Sequence, residues 1–323
     1  MELWLNKSEN IYETRSIILR EKRLNSIDNS SFNSLKILEI LDLSFNNLSI
    51  LADNSFMNSS LLTELYLRNN RFKNFNEQSF FGLRNLKTLD LSNNELIKLF
   101  KSDTFLNGLT DLRYLNLENN QIKEIDEYFF KDLKNLVDLN LANNKLKFLS
   151  HEYFDNLANL NSLDLSSNQL EVILPEKFTN LSQLADLNLF NNNIDFLREN
   201  AFYGLKNLKW LYLDKNNLTN LEENTFHDLK NLKILLLNNN SLNNLKSNLF
   251  NSMTHLECVN LRNNILQEFH PDPKLISMND FDLLFLNKSE SELFSLRTNF
   301  SHLQLSQFKT CKLIKKNNYF NVF

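Results

Sequence analysis

The segment LDLSNNEL, from Leu89 to Leu96, decides the fold because its spacing recurs along most of the chain. The pattern L-x-L-x-x-N-x-[L/I/F] starts ten times, at Leu41, Leu65, Leu89, Leu115, Leu139, Leu163, Leu187, Leu211, Leu235 and Val259. Eight of the nine intervals are 24 residues long, and the interval after Leu89 is 26. A degenerate copy precedes them at Ile17. A fixed period of this length predicts a solenoid, in which each coil contacts only its neighbours.

The first half of each repeat predicts a short strand followed by a turn. In the copy at Leu89, the side chains of Leu89 and Leu91 point inward and Asp90 points outward, because strand side chains alternate. Stacked coils then form a parallel sheet with one strand per repeat. The asparagine of the pattern, here Asn94, lies where the chain leaves the strand. Its amide both donates and accepts, so we expect stacked asparagines to satisfy the backbone of neighbouring coils.

The second half of each repeat carries a column of phenylalanines. Its members are Phe32, Phe56, Phe80, Phe105, Phe130, Phe154, Phe178, Phe202, Phe226 and Phe250. These ten account for much of the 27 phenylalanines in the chain, and we expect them to stack as a spine on the convex side. The two-residue insertion after Leu89 moves Phe105 one place later, which predicts a bulge near residues 101–107.

The combined pattern resembles the typical leucine-rich repeat of animal extracellular proteins, such as Slit-type guidance proteins, Toll-type receptor ectodomains and small leucine-rich proteoglycans. It reads FYGLKNLKWLYLDKNNL from Phe202 to Leu218. The resemblance implies an α/β-type solenoid, a leucine-rich repeat horseshoe with a concave parallel β-sheet and a mostly irregular convex side. It also implies protein recognition on the concave sheet and frequent glycosylation.

The first and last residues of the repeat pattern divide the chain into three segments. We predict an N-terminal cap segment over residues 1–16, eleven leucine-rich repeats over residues 17–269, and degenerate repeats or a C-terminal cap over residues 270–323. The last boundary rests on the sequence His-Pro-Asp-Pro from His270 to Pro273, which interrupts the pattern where the next turn would continue.

Composition and charge argue against several classes of function. The formal net charge of −4 and the absence of a clustered basic run disfavour nucleic acid as a partner. The five histidines are scattered without ligand spacing, and three glycines leave no phosphate-binding loop. We therefore expect no enzyme activity, no metal and no cofactor. The sequence contains no run of about 18 apolar residues, so we predict no membrane-spanning segment.

The sequence leaves the cellular setting open. No signal peptide is evident at Met1, which predicts either a fragment of an extracellular or cell-surface protein or a cytoplasmic chain. Nine N-x-[S/T] sequons occur, and Asn29, Asn58 and Asn180 lie where we expect a glycan to fit. Cys258 and Cys311 are either paired, which closes a long loop in an oxidising compartment, or two free thiols.

One stretch of the predicted outward face is aromatic and aliphatic, and we call it the Trp210 patch. Its members are Phe190, Trp210, Tyr212, Ile234 and Leu236, flanked by Asp186 and Asp214. They fall on three adjacent strands, about 4.8 Å apart, so we expect an exposed patch with the make-up of an interface hot spot. The alternative is ordinary variation of surface residues.

A second candidate, the Tyr66 cluster, consists of Glu64, Tyr66, Arg68 and Tyr114 in earlier repeats. We also place Phe45 beside Arg68 in the third outward column. Acidic residues such as Asp90 prevail in the middle of the face. They form either a solvated surface or a face that attracts a basic partner.

These patterns favour a non-catalytic protein-recognition domain that binds an unidentified protein ligand on the concave sheet. Such a domain belongs to the ectodomain, or is a fragment, of an extracellular receptor or secreted matrix protein. The alternative is an intracellular leucine-rich repeat scaffold or adaptor. The two settings differ in whether the sequon asparagines carry glycans.

Overall fold

The computed structural model describes residues 14–29, 31–32, 34–100, 105–246 and 248–266, which divide into two compact units. The N-terminal unit comprises the residues up to Asn168 together with Asn180–Ser182, and the C-terminal unit comprises Gln169–Thr179 and the residues from Gln183 onward. Most of the predicted N-terminal cap, all of the predicted C-terminal cap over 270–323, and residues 101–104 of the predicted bulge lie outside the described residues.

Each unit is a solenoid of stacked coils that contribute short parallel strands. In the N-terminal unit the strands of the sheet are β1 (Ser16–Ile18), β2 (Ile40–Asp42), β3 (Glu64–Tyr66), β4 (Thr88–Asp90), β6 (Tyr114–Asn116), β8 (Asp138–Asn140) and β9 (Ser162–Asp164). The first leucine of each repeat pairs with that of the next, and Leu89 pairs with Leu115 across the longer interval. The insertion therefore lies outside the strand register.

The C-terminal unit repeats this arrangement with β11 (Asp186–Asn188), β13 (Trp210–Tyr212), β14 (Ile234–Leu236) and β15 (Cys258–Asn260). Two-residue strands pair elsewhere in the coils, namely β5 (Lys98–Leu99) with β7 (Glu124–Ile125) and β10 (Val172–Ile173) with β12 (Phe196–Leu197). A 3₁₀ helix spans His151–Tyr153. The leucines of the pattern are buried throughout, as the alternation predicts.

Buried asparagines connect successive coils through side-chain hydrogen bonds. Asn144 donates from Nδ2 to the Leu117 carbonyl of the previous coil and to the Leu141 carbonyl of its own, both at 3.0 Å. Its Oδ1 accepts the amide of Ile122 in the previous coil at 2.9 Å. All ten asparagines of the column, from Asn46 to Asn264, are buried. The expected asparagine ladder is present within each unit, and it satisfies backbone groups that no strand pairs.

The residue before each ladder asparagine adopts a left-handed backbone with φ between 53° and 58°. Asparagine fills seven of these ten positions, which fits its tolerance of this conformation. The exceptions are Phe45, Ser167 and Lys215. The frequent Asn-Asn pairs of the sequence thus combine two requirements, one for a tight turn and one for a buried amide.

The phenylalanine column is buried and stacked. In the C-terminal unit the Phe202 ring centroid lies 6.3 Å from that of Phe178 and 5.8 Å from that of Phe226, with nearly parallel planes. Where the insertion occurs the stacking changes, because Phe80 and Phe105 meet edge to face at 5.7 Å. The two-residue insertion is therefore absorbed in the half of the coil opposite the sheet.

We expect Asn144→Ala to lower the free energy of unfolding by about 2–3 kcal/mol, since it leaves the buried Ile122 amide without its acceptor and removes one of the two asparagine donors from each of the Leu117 and Leu141 carbonyls. Urea denaturation followed by circular dichroism measures this change. Asn135→Ala is the matched control, because the exposed Asn135 side chain makes a single bond to the Thr110 carbonyl. Its cost should stay below about 1 kcal/mol. Equal costs for the two variants would contradict the role assigned to the ladder.

Candidate recognition surface

The strand register of the C-terminal unit brings the Trp210 patch together. Trp210 pairs with Ile234, and Tyr212 pairs with Leu236, on neighbouring strands. Asp186 lies beside Trp210 on the other side. Phe190 and Asp214 lie two residues beyond the ends of β11 and β13. The members predicted from sequence thus share one face of one sheet, which we call the sheet face.

The patch is less exposed than predicted. Leu236 is buried, with 5% of its surface accessible. Trp210, Tyr212, Ile234 and Phe190 are half-buried. The prediction of an exposed patch is therefore wrong for Leu236, because side chains on strands so close together cover one another.

Two lysines lie over aromatic rings of the patch. The Nζ atom of Lys215 is 5.1 Å from the Phe190 ring centroid, and that of Lys209 is 5.9 Å from the Trp210 ring. Both distances are within the range of cation–π attraction. Asp214 completes this arrangement: burial raises the pKa of its carboxyl, although its own amide, Asn238 and Lys215 oppose the shift. The patch therefore combines rings with charges of both signs.

The residue between the two leucines of each repeat has a structural role that the sequence did not reveal. Where it is Asp or Asn, its Oδ1 accepts the amide two residues later, as in Asp90 with Ser92 at 2.9 Å and Asn188 with Phe190 at 3.0 Å. The same bond forms at Asp42, Asn116, Asn140, Asp164 and Asn260. We call these positions between the leucines the Asx column, since an Asp or Asn there makes an Asx turn at the end of its strand.

Four residues interrupt the Asx column, namely Ile18, Tyr66, Tyr212 and Leu236. None of these side chains has an oxygen that reaches the amide two residues on in the way Asp and Asn do. Two of the four interruptions are adjacent members of the Trp210 patch. The patch thus replaces a recurrent local hydrogen bond with apolar surface.

An unsatisfied acceptor lies next to the patch. The side-chain oxygen of Asn238, two residues after Leu236, is buried and has no hydrogen-bond partner among the described residues. A buried acceptor left alone costs about 1–3 kcal/mol. Sequence reasoning did not single out Asn238, because only the folded structure shows that its oxygen is buried.

The Tyr66 cluster in the N-terminal unit is only partly assembled. The hydroxyl of Tyr66 donates to Glu64 Oε2 at 2.7 Å, and burial together with this carboxylate raises the pKa of Tyr66. Tyr114 does not adjoin them, because Thr88 lies between Glu64 and Tyr114 in the strand register. The cluster therefore offers a tyrosine that is already engaged by its neighbour.

Phe45 occupies a different position from the one predicted. Its amide bonds to the Arg68 carbonyl as the Asn69 amide bonds to Ser92, so Phe45 belongs to the left-handed column and Ser44 to the third outward column. The guanidinium carbons of Arg20 and Arg68 lie 5.0 and 5.2 Å from its ring centroid. The signal for this site was a phenylalanine where most repeats have asparagine.

The acidic part of the sheet face is not simply solvated. Asp90 is buried, and burial raises the pKa of its carboxyl despite hydrogen bonds from Ser92 and the charge of Arg68. Burial likewise raises the pKa of Glu118, with a further contribution from the Asp164 charge. The prediction of a solvated surface is therefore wrong for Asp90, because neighbouring coils cover its side chain.

The predicted modification sites differ in their surroundings. Asn29, Asn58 and Asn180 are exposed. The Asn180 amide donates to Asp155 Oδ1 at 2.9 Å, a bond that a glycan would change. Cys258 is buried. Cys311 lies outside the described residues, and its pairing with Cys258 stays a prediction.

Two further observations concern the described ranges alone. Within them no group of three or more His, Cys, Asp or Glu side chains is arranged to hold a metal ion. None of their helices has the length and apolar character needed to cross a membrane.

We expect Asp90→Asn to raise the free energy of unfolding by on the order of 1 kcal/mol at pH 7, since it removes a partly desolvated charge. Asparagine keeps the bond to Ser92, as Asn116 does on the next strand. A raised folded-state pKa means that the proton on Asp90 stabilises the fold below the unfolded pKa, and this stability is lost as pH rises through the folded pKa. The advantage of the variant should therefore vanish near pH 3.

Denaturation of both proteins across this pH range provides the measurement. Asp42→Asn is the control in the same column, because Asp42 accepts the Ser44 amide at 2.8 Å but is only half-buried. Its effect should be smaller. Loss of stability in Asp90→Asn at pH 7 would show that attraction between Asp90 and Arg68 outweighs the cost of burial.

Comparison with known proteins supports the fold. The family model described as "Leucine rich repeat" matches residues 13–72, 60–122, 97–146, 110–170, 134–194, 158–218 and 182–242. No curated protein sequence matches the chain. Among solved structures, a leucine-rich repeat protein of Leptospira interrogans has a TM-score of 0.74 and 26% identity over 85% of this chain and 68% of its own.

Two other structures are similar. TLR13, solved in complex with ssRNA13, has a TM-score of 0.68 and 26% identity, and the match covers 78% of this chain and 40% of that chain. A chain in the octameric complex of Latrophilin 3, Unc5D and the leucine-rich repeats of FLRT2 has a TM-score of 0.69 over 78% of this chain and 76% of its own. At 21% identity, that match shows the fold alone.

The recurrent pattern, the stacked parallel strands and the asparagine ladder agree with the family match, which runs from residue 13 to residue 242. This fold typically serves as a scaffold for protein interaction. The chain belongs to the leucine-rich repeat family.

Proposed function

We propose that this chain is a non-catalytic recognition domain that binds a protein partner through the Trp210 patch. The observation that carries the proposal is the double interruption of the Asx column at Tyr212 and Leu236, beside Trp210 and Phe190. The side chains at these two positions do not form the recurrent hydrogen bond of the Asx column. Half-buried aromatic and aliphatic surface lies there instead. Trp and Tyr rings in such settings are the usual anchors of protein interfaces.

The surroundings of the patch indicate what a partner would bring. Lys209 and Lys215 cover ring faces and are long enough to move aside for an apolar side chain. The best fit is therefore a protein segment that inserts an apolar side chain.

Charge favours a protein partner over nucleic acid. TLR13 was solved with ssRNA, but binding to a phosphate backbone requires a surplus of Lys and Arg. This chain has 35 Lys and Arg against 39 Asp and Glu, and its formal net charge is −4.

The double variant Trp210→Ala with Tyr212→Ala tests the patch. We expect it to weaken partner binding by about 100-fold or more, since two central aromatic anchors contribute at least about 3 kcal/mol. Wild-type and variant chains are immobilised in parallel and captured proteins are quantified. The dissociation constant is then measured with the purified partner, and circular dichroism checks that both chains are folded.

A matched control removes two aromatic rings elsewhere. Phe81→Ala with Tyr203→Ala truncates exposed rings that lie outside the strands of the sheet face. It should bind the partner as the wild type does. Retention of every captured partner by the Trp210 and Tyr212 variant would contradict the proposal, as would equal loss in both double variants.

The proposed setting is extracellular, with the chain acting as the ectodomain or a fragment of a receptor or secreted matrix protein. Exposed sequon asparagines at Asn29, Asn58 and Asn180 support this setting. An intracellular scaffold is the alternative function, and it requires unmodified asparagines.

Mass spectrometry of the native protein before and after enzymatic removal of N-glycans separates the two settings. We expect the mass to fall by at least one glycan, with deamidated Asn29 or Asn58 in the treated peptides. Asn180 should be modified less, because its amide is engaged by Asp155. An unchanged mass that equals the sum of the residues would favour the intracellular alternative.

A further inference from the structure

A cavity of about 550 Å³ lies in the N-terminal unit, outside the strands of the sheet face. Two segments of successive coils line it, residues 124–128 and residues 148–153. Its volume falls in the range of small-ligand sites, about 300–1,000 Å³. Neither the Trp210 patch nor the Tyr66 cluster contributes a residue to it.

The lining has one charge sign and an aromatic character. Its polar side chains include the carboxylates of Glu124, Asp126 and Glu127, and none of the eight lining residues is basic. Its aromatic rings are Tyr128, Phe148 and Tyr153. Carboxylates and aromatic rings that line one cavity form an environment suited to organic cations, through charge attraction and cation–π contact together.

The three aromatic rings differ in their exposure to solvent. Tyr153 is buried, and burial followed by the charges of the three carboxylates raises the pKa of its hydroxyl. Phe148 is 57% exposed and Tyr128 is 40% exposed. A buried ring therefore forms the floor, while two rings at the rim remain accessible to a ligand.

The edge of this cavity already binds one ammonium group from the chain itself. Lys98 Nζ lies 2.8 Å from a carboxylate oxygen of Glu124 and 5.1 Å from the ring centroid of Phe100. The local combination of carboxylate and ring thus holds a cation at the rim. Asp126 and Glu127 extend the same combination into the cavity beside Tyr128 and Phe148.

Tyr128 has a backbone conformation that is unfavourable for its bulky side chain. Its φ of 58° is in the left-handed region, where a bulky side chain is strained. Two other repeats have asparagine in the same position before the spine phenylalanine, namely Asn54 and Asn200, each with φ 59°. The ring of Tyr128 thus occupies a position better suited to asparagine.

We propose that this cavity binds an organic cation, with an ammonium or guanidinium group held between the rings of Tyr128 and Phe148 and the carboxylates of Asp126 and Glu127. The ligand is either a free amine or a basic side chain of a peptide, since both present the same charged group. This site is separate from the recognition surface and does not depend on it.

Titration of the full chain with three probes tests the proposal by two-dimensional NMR. The probes are methylammonium chloride, acetyl-Gly-Arg-Gly-amide and the neutral acetyl-Gly-Gln-Gly-amide. We expect saturable shifts of the Ile125 and Ser150 amide signals with at least one cationic probe and none with the neutral peptide. Binding of the arginine peptide alone assigns a basic side chain, and binding of methylammonium alone assigns a free amine. The absence of shifts with both cations overturns the proposal.

Variants connect binding to the lining. Tyr128→Asn should weaken binding roughly five- to tenfold through the lost ring contact, while the melting temperature rises because the strain is relieved. Glu176→Asn is the control, since Glu176 has φ 68° in the same position of the C-terminal unit. It should raise the melting temperature and leave binding unchanged.

A second pair of variants tests the charge. Glu127→Gln should weaken binding of the cationic probe, and Glu77→Gln, the same change at an exposed residue that does not line the cavity, should not. Phe148→Ala provides a ring variant whose folding is not in doubt, since Phe148 is mostly exposed. Undiminished binding to Tyr128→Asn, Phe148→Ala and Glu127→Gln would overturn the assignment to this cavity.

Discussion

The hydrogen bonds of the buried asparagine side chains are the constraint on which the rest of the structure depends. Each coil leaves its strand through a tight turn whose carbonyl and amide groups face the interior. An amide such as that of Asn144 supplies donors to two coils and an acceptor to one of them. Few other side chains carry both functions at this length. Because the ladder joins equivalent residues of neighbouring coils, the same bonds form at Asn120 even though two residues are inserted before it.

The repeat fixes the inward-facing side chains, and the outward-facing columns can vary. They vary less than the exposed side chains of a sheet would be expected to vary. The Asx column uses most positions between the leucines to bind the amide two residues later. Its aspartates are therefore partly structural, and Asp90 tolerates burial for that reason. Against this regular background an apolar residue such as Tyr212 or Leu236 stands out as a departure that local structure does not require. The informative positions of the sheet face are therefore those where the Asx column is interrupted.

Much of the fold followed from the repeat, whereas the candidate site followed only in part. The register of Trp210 with Ile234 was predictable, because a period of 24 residues places equivalent side chains side by side. The burial of Leu236 was not, since it depends on how far neighbouring side chains cover it. Phe45 was assigned to the wrong column although the period of 24 residues already aligns it with Asn69 and aligns Ser44 with Arg68. The cavity beside Tyr128 was missed because its carboxylates and rings come from two coils.

The sequence by itself determined the period, the inward leucines, the asparagine ladder and the phenylalanine spine, since each is a one-dimensional pattern that repeats at a fixed spacing. Only the tertiary structure decided which outward side chains are covered, which carboxylates are desolvated, and which aromatic rings meet a cation. Those properties depend on distances between side chains of different coils, as between Lys215 and Phe190. A pattern fixes the order of residues along a coil, but burial and charge environment arise from the atoms that neighbouring coils bring within a few ångströms.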